Sequence, residues 1–173
     1  MPDSAHLWAI GFDDLTGAER LRDAITCLAA PVQHLLLLDL AVLARNPDGS
    51  YTLDREPFPA AGNIFDRGTV GFLTGIALSM PLYTSTAVGD MLGLCGTPIF
   101  KSVGIDDKFI RDVQAMLKPG TSAVLMLDYV GNLEEVLRGL RGIGGTVLKT
   151  NVDVDRAKLL QSTLRSSAPK NEP

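Results

Sequence analysis

Three stretches of the chain, residues 7–12, 35–44 and 122–127, are apolar at odd and even positions alike, with Asp39 the one charge among them. A strand with one wet face alternates apolar and polar side chains, so a strand without alternation is covered on both faces. Behind the first stretch the period changes to that of a helix. Thr16 stands as N-cap with Glu19 three residues on, the spacing of a capping box, and Leu21, Ile25 and Leu28 follow as an apolar stripe. Ala29-Ala30-Pro31 stops this helix before the stretch 35–44.

The plan is repeated later in the chain. The strand 122–127 ends at Asp128, Asn132 and Glu135 repeat the capping spacing, and Leu133, Val136, Leu137 and Leu140 form the stripe. Gly142, Gly144 and Gly145 stop the helix, and 146–152 closes the unit as a strand. Two strand–helix–strand units with matched starts predict an α+β fold of ferredoxin-like type, its four strands forming an antiparallel sheet with helices on one face. The other face then needs a cover. The candidates are the apolar run described next, a C-terminal helix over 153–165, or a second subunit.

Between the two units lies an insert. Asn46-Pro47-Asp48-Gly49 is a turn that sends the chain back along 51–55, and Pro57 and Pro59 lead out of it. From Gly68 to Phe100 the only charge is Asp90. Pro81 divides this run into two arms, with Gly71 and Gly75 four apart before it and Gly89 and Gly93 four apart after it. Small residues at that spacing in an apolar context let two helices approach closely. The prediction is an inserted Gly-rich apolar helical hairpin, each arm about 20 Å long and so short of a bilayer core of about 30 Å. Gly71, Gly75, Pro81, Gly89, Asp90 and Gly93 are its candidate interaction residues, with Asp90 read as the cap of the second arm. After the hairpin, Asp106 or Asp107 starts a helix with Phe109, Ile110, Val113, Met116 and Leu117 on one face, and Lys118-Pro119-Gly120 ends it. One domain over 1–165 is expected, with 56–104 as the hairpin module and a polar, disordered tail at 166–173.

Composition narrows the function. Net charge is −4 with acids and bases interspersed, and aromatic residues make up 6%, which argues against nucleic acid as a partner. Met1 to Trp8 carry no basic start and no long apolar core, so no signal peptide is expected and the cytoplasm is the default location. Cys27 and Cys95 lack metal spacing, and Cys27 reads as a small buried hydrophobe within its helix. His6 and His34 each sit beside a strand start without a ligand partner and read as satisfied surface or edge residues. The pairs Asp13-Asp14 and Asp106-Asp107 read as caps. No catalytic residues, no cofactor and no metal site are expected.

Five segments resemble a bacterial family catalogued as domain of unknown function 1269. They are residues 9–14, the glycine-spaced run, Gly104-Ile105-Asp106-Asp107-Lys108-Phe109-Ile110, residues 117–123 and residues 144–150. The resemblance covers roughly 7–165 and implies a small bacterial protein without an assigned activity, one with no catalytic residues to carry over. Members of that family tend towards a purer Gly/Ala run, which Pro81, Tyr83, Asp90 and Pro98 break here. The expected function is that of a non-enzymatic, self-assembling protein whose hairpin packs against a second subunit or the sheet. A peripheral or re-entrant membrane protein anchored by 68–100 on the inner face of the membrane is the alternative, and a small-ligand-binding module a further one.

Overall fold

The computed structural model describes residues 4–29, 37–53, 101, 103–128, 138, 142–156 and 159. The run 68–100 and most of the helix expected after Asp128 lie outside them, as do His34, Cys95 and the tail. Within them the chain is α+β, with a five-stranded sheet that is antiparallel throughout. The strands are β1 (Ser4–Phe12), β2 (Leu37–Arg45), β3 (Tyr51–Leu53), β4 (Thr121–Asp128) and β5 (Thr146–Asp153). Helix α1 (Gly17–Ala29) follows β1 and helix α2 (Asp107–Met116) precedes β4.

Across the sheet the order is β3-β2-β4-β1-β5. The two repeated units therefore interleave: β4 lies between β1 and β2, and β1 lies between β4 and β5. The predicted turn after β2 forms, with the Asn46 amide donating to the Ser50 carbonyl at 2.8 Å and Gly49 at a φ of +87°. Such a backbone conformation strains any residue with a Cβ, which is why glycine stands there.

Both faces of the central strands are packed. On one side Trp8, Ile10, Phe12, Leu40, Val42, Val124 and Met126 meet Ala18, Leu21 and Ile25 of α1. On the other, Leu7, Ala9, Ala41, Leu43, Ala123, Leu125 and Leu127 meet Phe109, Ile110 and Val113 of α2, with Val103, Ile105, Leu117 and Val154 around them. All eight residues of β4 are buried. The cover of the second face is thus α2, an element outside the three expected candidates, although Val154 at the start of the C-terminal segment joins it. Small residues make room for it: Leu125 has Ala9 and Ala41 as its neighbours on the two flanking strands, and Ala123 has Gly11 and Leu43. The last turn of α2 rests on Gly11, where a Cβ would overlap Cγ and Sδ of Met116.

The helix starts differ in kind. In α2 the predicted cap forms locally, the Asp106 carboxylate accepting from the Phe109 amide at 2.6 Å. In α1 the expected exchange between Thr16 and Glu19 gives way to a tertiary contact. The Ala18 amide donates to Ser122 Oγ of β4 at 3.1 Å, and the same hydroxyl donates to the Asp14 carbonyl at 2.7 Å. Thr16 Oγ1 faces Asp14 and Arg20 instead. Cys27 is exposed, a correction to the buried reading, because it falls off the stripe of Ala18, Leu21 and Ile25 that faces the sheet.

Gly11→Val is expected to lower stability by about 1–3 kcal/mol, since the added side chain competes with Met116 for the same space. Combined with Met116→Ala, the loss should be smaller than the sum of the two single changes, as read from urea unfolding of all four proteins.

Candidate functional site

Two carboxylates end up buried at the end of the sheet where β1 and β2 begin and β4 finishes. Asp128 is the last residue of β4 and pairs in register with His6 of β1. Strand alternation places Trp8 on the same face, and its indole N–H donates to Asp128 Oδ1 at 3.0 Å. His6 Nδ1 lies 3.5 Å from that oxygen, close enough for an ion pair when the imidazole is protonated but without a hydrogen bond. Asp128 is 2% exposed and its Oδ2 has no partner, whereas the His6 side chain keeps 26% of its surface open. On the solvent side of the indole, Lys149 Nζ sits 4.6 Å from the Trp8 ring centre, a cation–π contact. His6 is therefore on an interior strand and faces a carboxylate, which corrects its reading as a satisfied surface or edge residue.

Asp39 is the second of these carboxylates. A bulge between Leu37 and Asp39 shifts the register, and Asp39 then pairs with Leu127, which puts it on the α2 side of the sheet. Its Oδ1 accepts from the Leu40 amide at 2.9 Å, and its Oδ2 has no partner among the described residues. Burial pushes its pKa up to about 6, with the Leu40 hydrogen bond acting in the opposite sense. The ionised carboxylate is thus harder to hold here than in water, and the site binds a proton more tightly than an exposed aspartate does.

The remaining acids are dispersed. Asp14 is held below the usual carboxylate range, chiefly by the hydrogen bond from Arg20 and also by the Thr16 amide. Asp106 caps α2, and Asp107 pairs with Lys101 at 2.6 Å. Asp13 instead lines an open groove of about 360 Å³ between the C-terminal half of α2 and the adjoining ends of β1 and β5. Asp112 and Lys118 share its rim, and Gly11, Phe12, Met116 and Leu148 supply apolar lining. Among the described residues no three His, Cys, Asp or Glu side chains are grouped to hold a metal. The expected interaction residues Gly71, Gly75, Pro81, Gly89, Asp90 and Gly93 all lie outside the described residues.

Neither Asp39 nor Asp128 stood out in the sequence, where the first interrupts an apolar stretch and the second ends one. The signal was there: a carboxylate inside or directly bordering a strand that is apolar on both faces has no water to face.

Asp39 links stability to pH. The folded protein binds its proton more tightly than the unfolded chain, where the carboxyl titrates near 3.8. The stabilisation is complete below pH 3.8 and is lost as pH rises through about 6. Relative to Asp39→Asn, the native protein should lose about 3 kcal/mol between about pH 3.5 and about pH 7 in urea unfolding.

Comparison with known proteins gives one finding. The family model described as "Protein of unknown function (DUF1269)" matches residues 67–165, which take in the glycine-spaced run, α2, β4 and β5. No curated protein and no solved structure matches the chain. With more than half of its length covered by that model, the chain belongs to the DUF1269 family of proteins of unknown function.

Proposed function

We propose that this is a non-enzymatic, self-assembling α+β protein of ferredoxin-like arrangement, in which segment 68–100 packs against a second copy of the chain. The arrangement is supported by the strand order β2-β4-β1-β5 and by the antiparallel pairing of each neighbour, which is what two interleaved strand–helix–strand units produce. Strand β3 is then an addition at one edge.

The observation that carries self-assembly is the position of α2. The apolar run needs a surface to cover, because an apolar area of that size is not left bare in water. The sheet face that invited it already packs against Phe109, Ile110 and Val113 of α2. That favours an external surface for the run. Its interruptions favour protein over lipid: Pro81 divides it, Asp90 places a carboxylate in it, and Thr69, Thr74, Ser79, Thr84, Ser85 and Thr86 add hydroxyls. Gly71 and Gly75 in one arm and Gly89 and Gly93 in the other are the positions where close helix contact between copies would be made. The protein is then cytoplasmic. The second reading uses the same run on the inner membrane face, and among the described residues no helix is long and apolar enough to cross a membrane.

Light scattering of the full-length protein in detergent-free buffer should give a mass at a multiple of 18.5 kDa. Gly75→Leu with Gly93→Leu should move it towards the monomer. A monodisperse native monomer without detergent overturns self-assembly, and pelleting with membranes after a carbonate wash moves the run to the lipid surface.

A further inference from the structure

The groove beside α2 lies apart from the run, so an inference about it stands or falls independently of self-assembly. Its rim holds charges of both signs that do not meet. The Asp13 carboxylate and the Lys118 ammonium line the same groove, yet among the described residues neither side chain has an ion pair or hydrogen bond. Asp112 is engaged by Lys108 through Oδ2. The backbone that carries these groups is fixed. Asp13 stands between the last residue of β1 and the Asp14 carboxylate that accepts from the Thr16 amide. Lys118 is held through its carbonyl, which accepts from Thr121 Oγ1 at 2.7 Å, and Pro119 and Gly120, the latter at a φ of +86°, follow it. The apolar part of the lining is Met116 resting on Gly11, with Phe12, Ala115 and Leu148 alongside, and Thr146 adds a polar residue.

From this we infer that the groove binds a small zwitterion of amino-acid type, one carrying an ammonium, a carboxylate and a short aliphatic side chain. The ammonium pairs with Asp13 and the open oxygen of Asp112, and the carboxylate with Lys118. The aliphatic part covers Met116 and Leu148. A simple amine would leave Lys118 unpaired, and a simple carboxylate would meet Lys118 beside the unpaired charge of Asp13. A ligand with both groups pairs Asp13 and Lys118 together. The volume of about 360 Å³ falls at the small end of ligand pockets, which accommodates a single amino acid.

Amide NMR of the full-length protein titrated with L-leucine, isopentylamine and isocaproate tests this. Leucine should shift the Gly11, Met116, Lys118 and Thr146 amides saturably, with a Kd of about 1 mM or tighter, and each half-ligand should bind about tenfold more weakly. In Lys118→Met, isopentylamine should equal leucine. In Asp13→Asn, leucine should lose most of its advantage over isocaproate. Both side chains are exposed, so these variants retain the fold. Ala115→Trp, which fills the groove from an exposed position of α2, should abolish all three responses. Absence of a saturable response to leucine, equal binding of isocaproate by the native protein, or indifference to Asp13→Asn and Lys118→Met overturns the inference.

Discussion

The constraint on which this fold depends is that β4 has no face turned to water. It pairs with β1 on one side and β2 on the other, and every one of its residues is buried. Water is excluded above and below as well, so one layer of helix cannot suffice. That requirement recruits α1 to one face and α2 to the other, and it selects the residues in contact. Alanines flank Leu125 where α2 crosses, and the absence of a side chain at Gly11 lets Met116 close the end of the layer. Packing of this kind is unforgiving of volume in either direction, because neighbouring rows already alternate large and small.

The same exclusion of water sets the chemistry of the acids. A carboxylate on a wet strand is solvated from several sides. Asp128 has one indole donor and an imidazole, and Asp39 one amide. Each retains an oxygen without a donor, one on each face of the sheet, and both lie at the end where β1 and β2 start. The charges at the other end, Asp13 and Lys118, are exposed and mounted on apolar lining. The sheet therefore separates its polar groups into an end whose carboxylates are buried and an end whose charges are exposed.

Much of this was legible in the chain. Unalternating strands gave away the two-sided burial, and the Asn46–Gly49 turn and the Asp106 cap were readable because their partners are a few residues apart. Periodicity identifies a buried stripe without naming what lies against it. The apolar face of α2 was therefore visible in Phe109, Ile110 and Val113 while its place over the sheet was not. The start of α1 shows the same limit. A spacing that reads as a local cap is displaced by Ser122, 104 residues from Ala18, and no window of sequence contains that contact. Asp39 and Asp128 were missed because single charges at strand margins usually mark an end, and only the pairing register showed them to be inside.

The interleaving also governs the order in which the molecule can be made. Strands β1 and β2 belong to the first unit but are not bonded to each other; β2 has only the short β3 beside it until β4 arrives, β1 has no partner before β4, and the Ala18 amide of α1 waits for Ser122. As the chain leaves the ribosome, the first unit therefore has only the β2–β3 hairpin to form, and β1 and α1 stay without a sheet. The long apolar run emerges before the strand that completes it. Contacts of such sequence separation fold slowly, since the loop between them must close before any of them forms. The period in which segment 68–100 has been made while β1 is still without a partner is built into the topology.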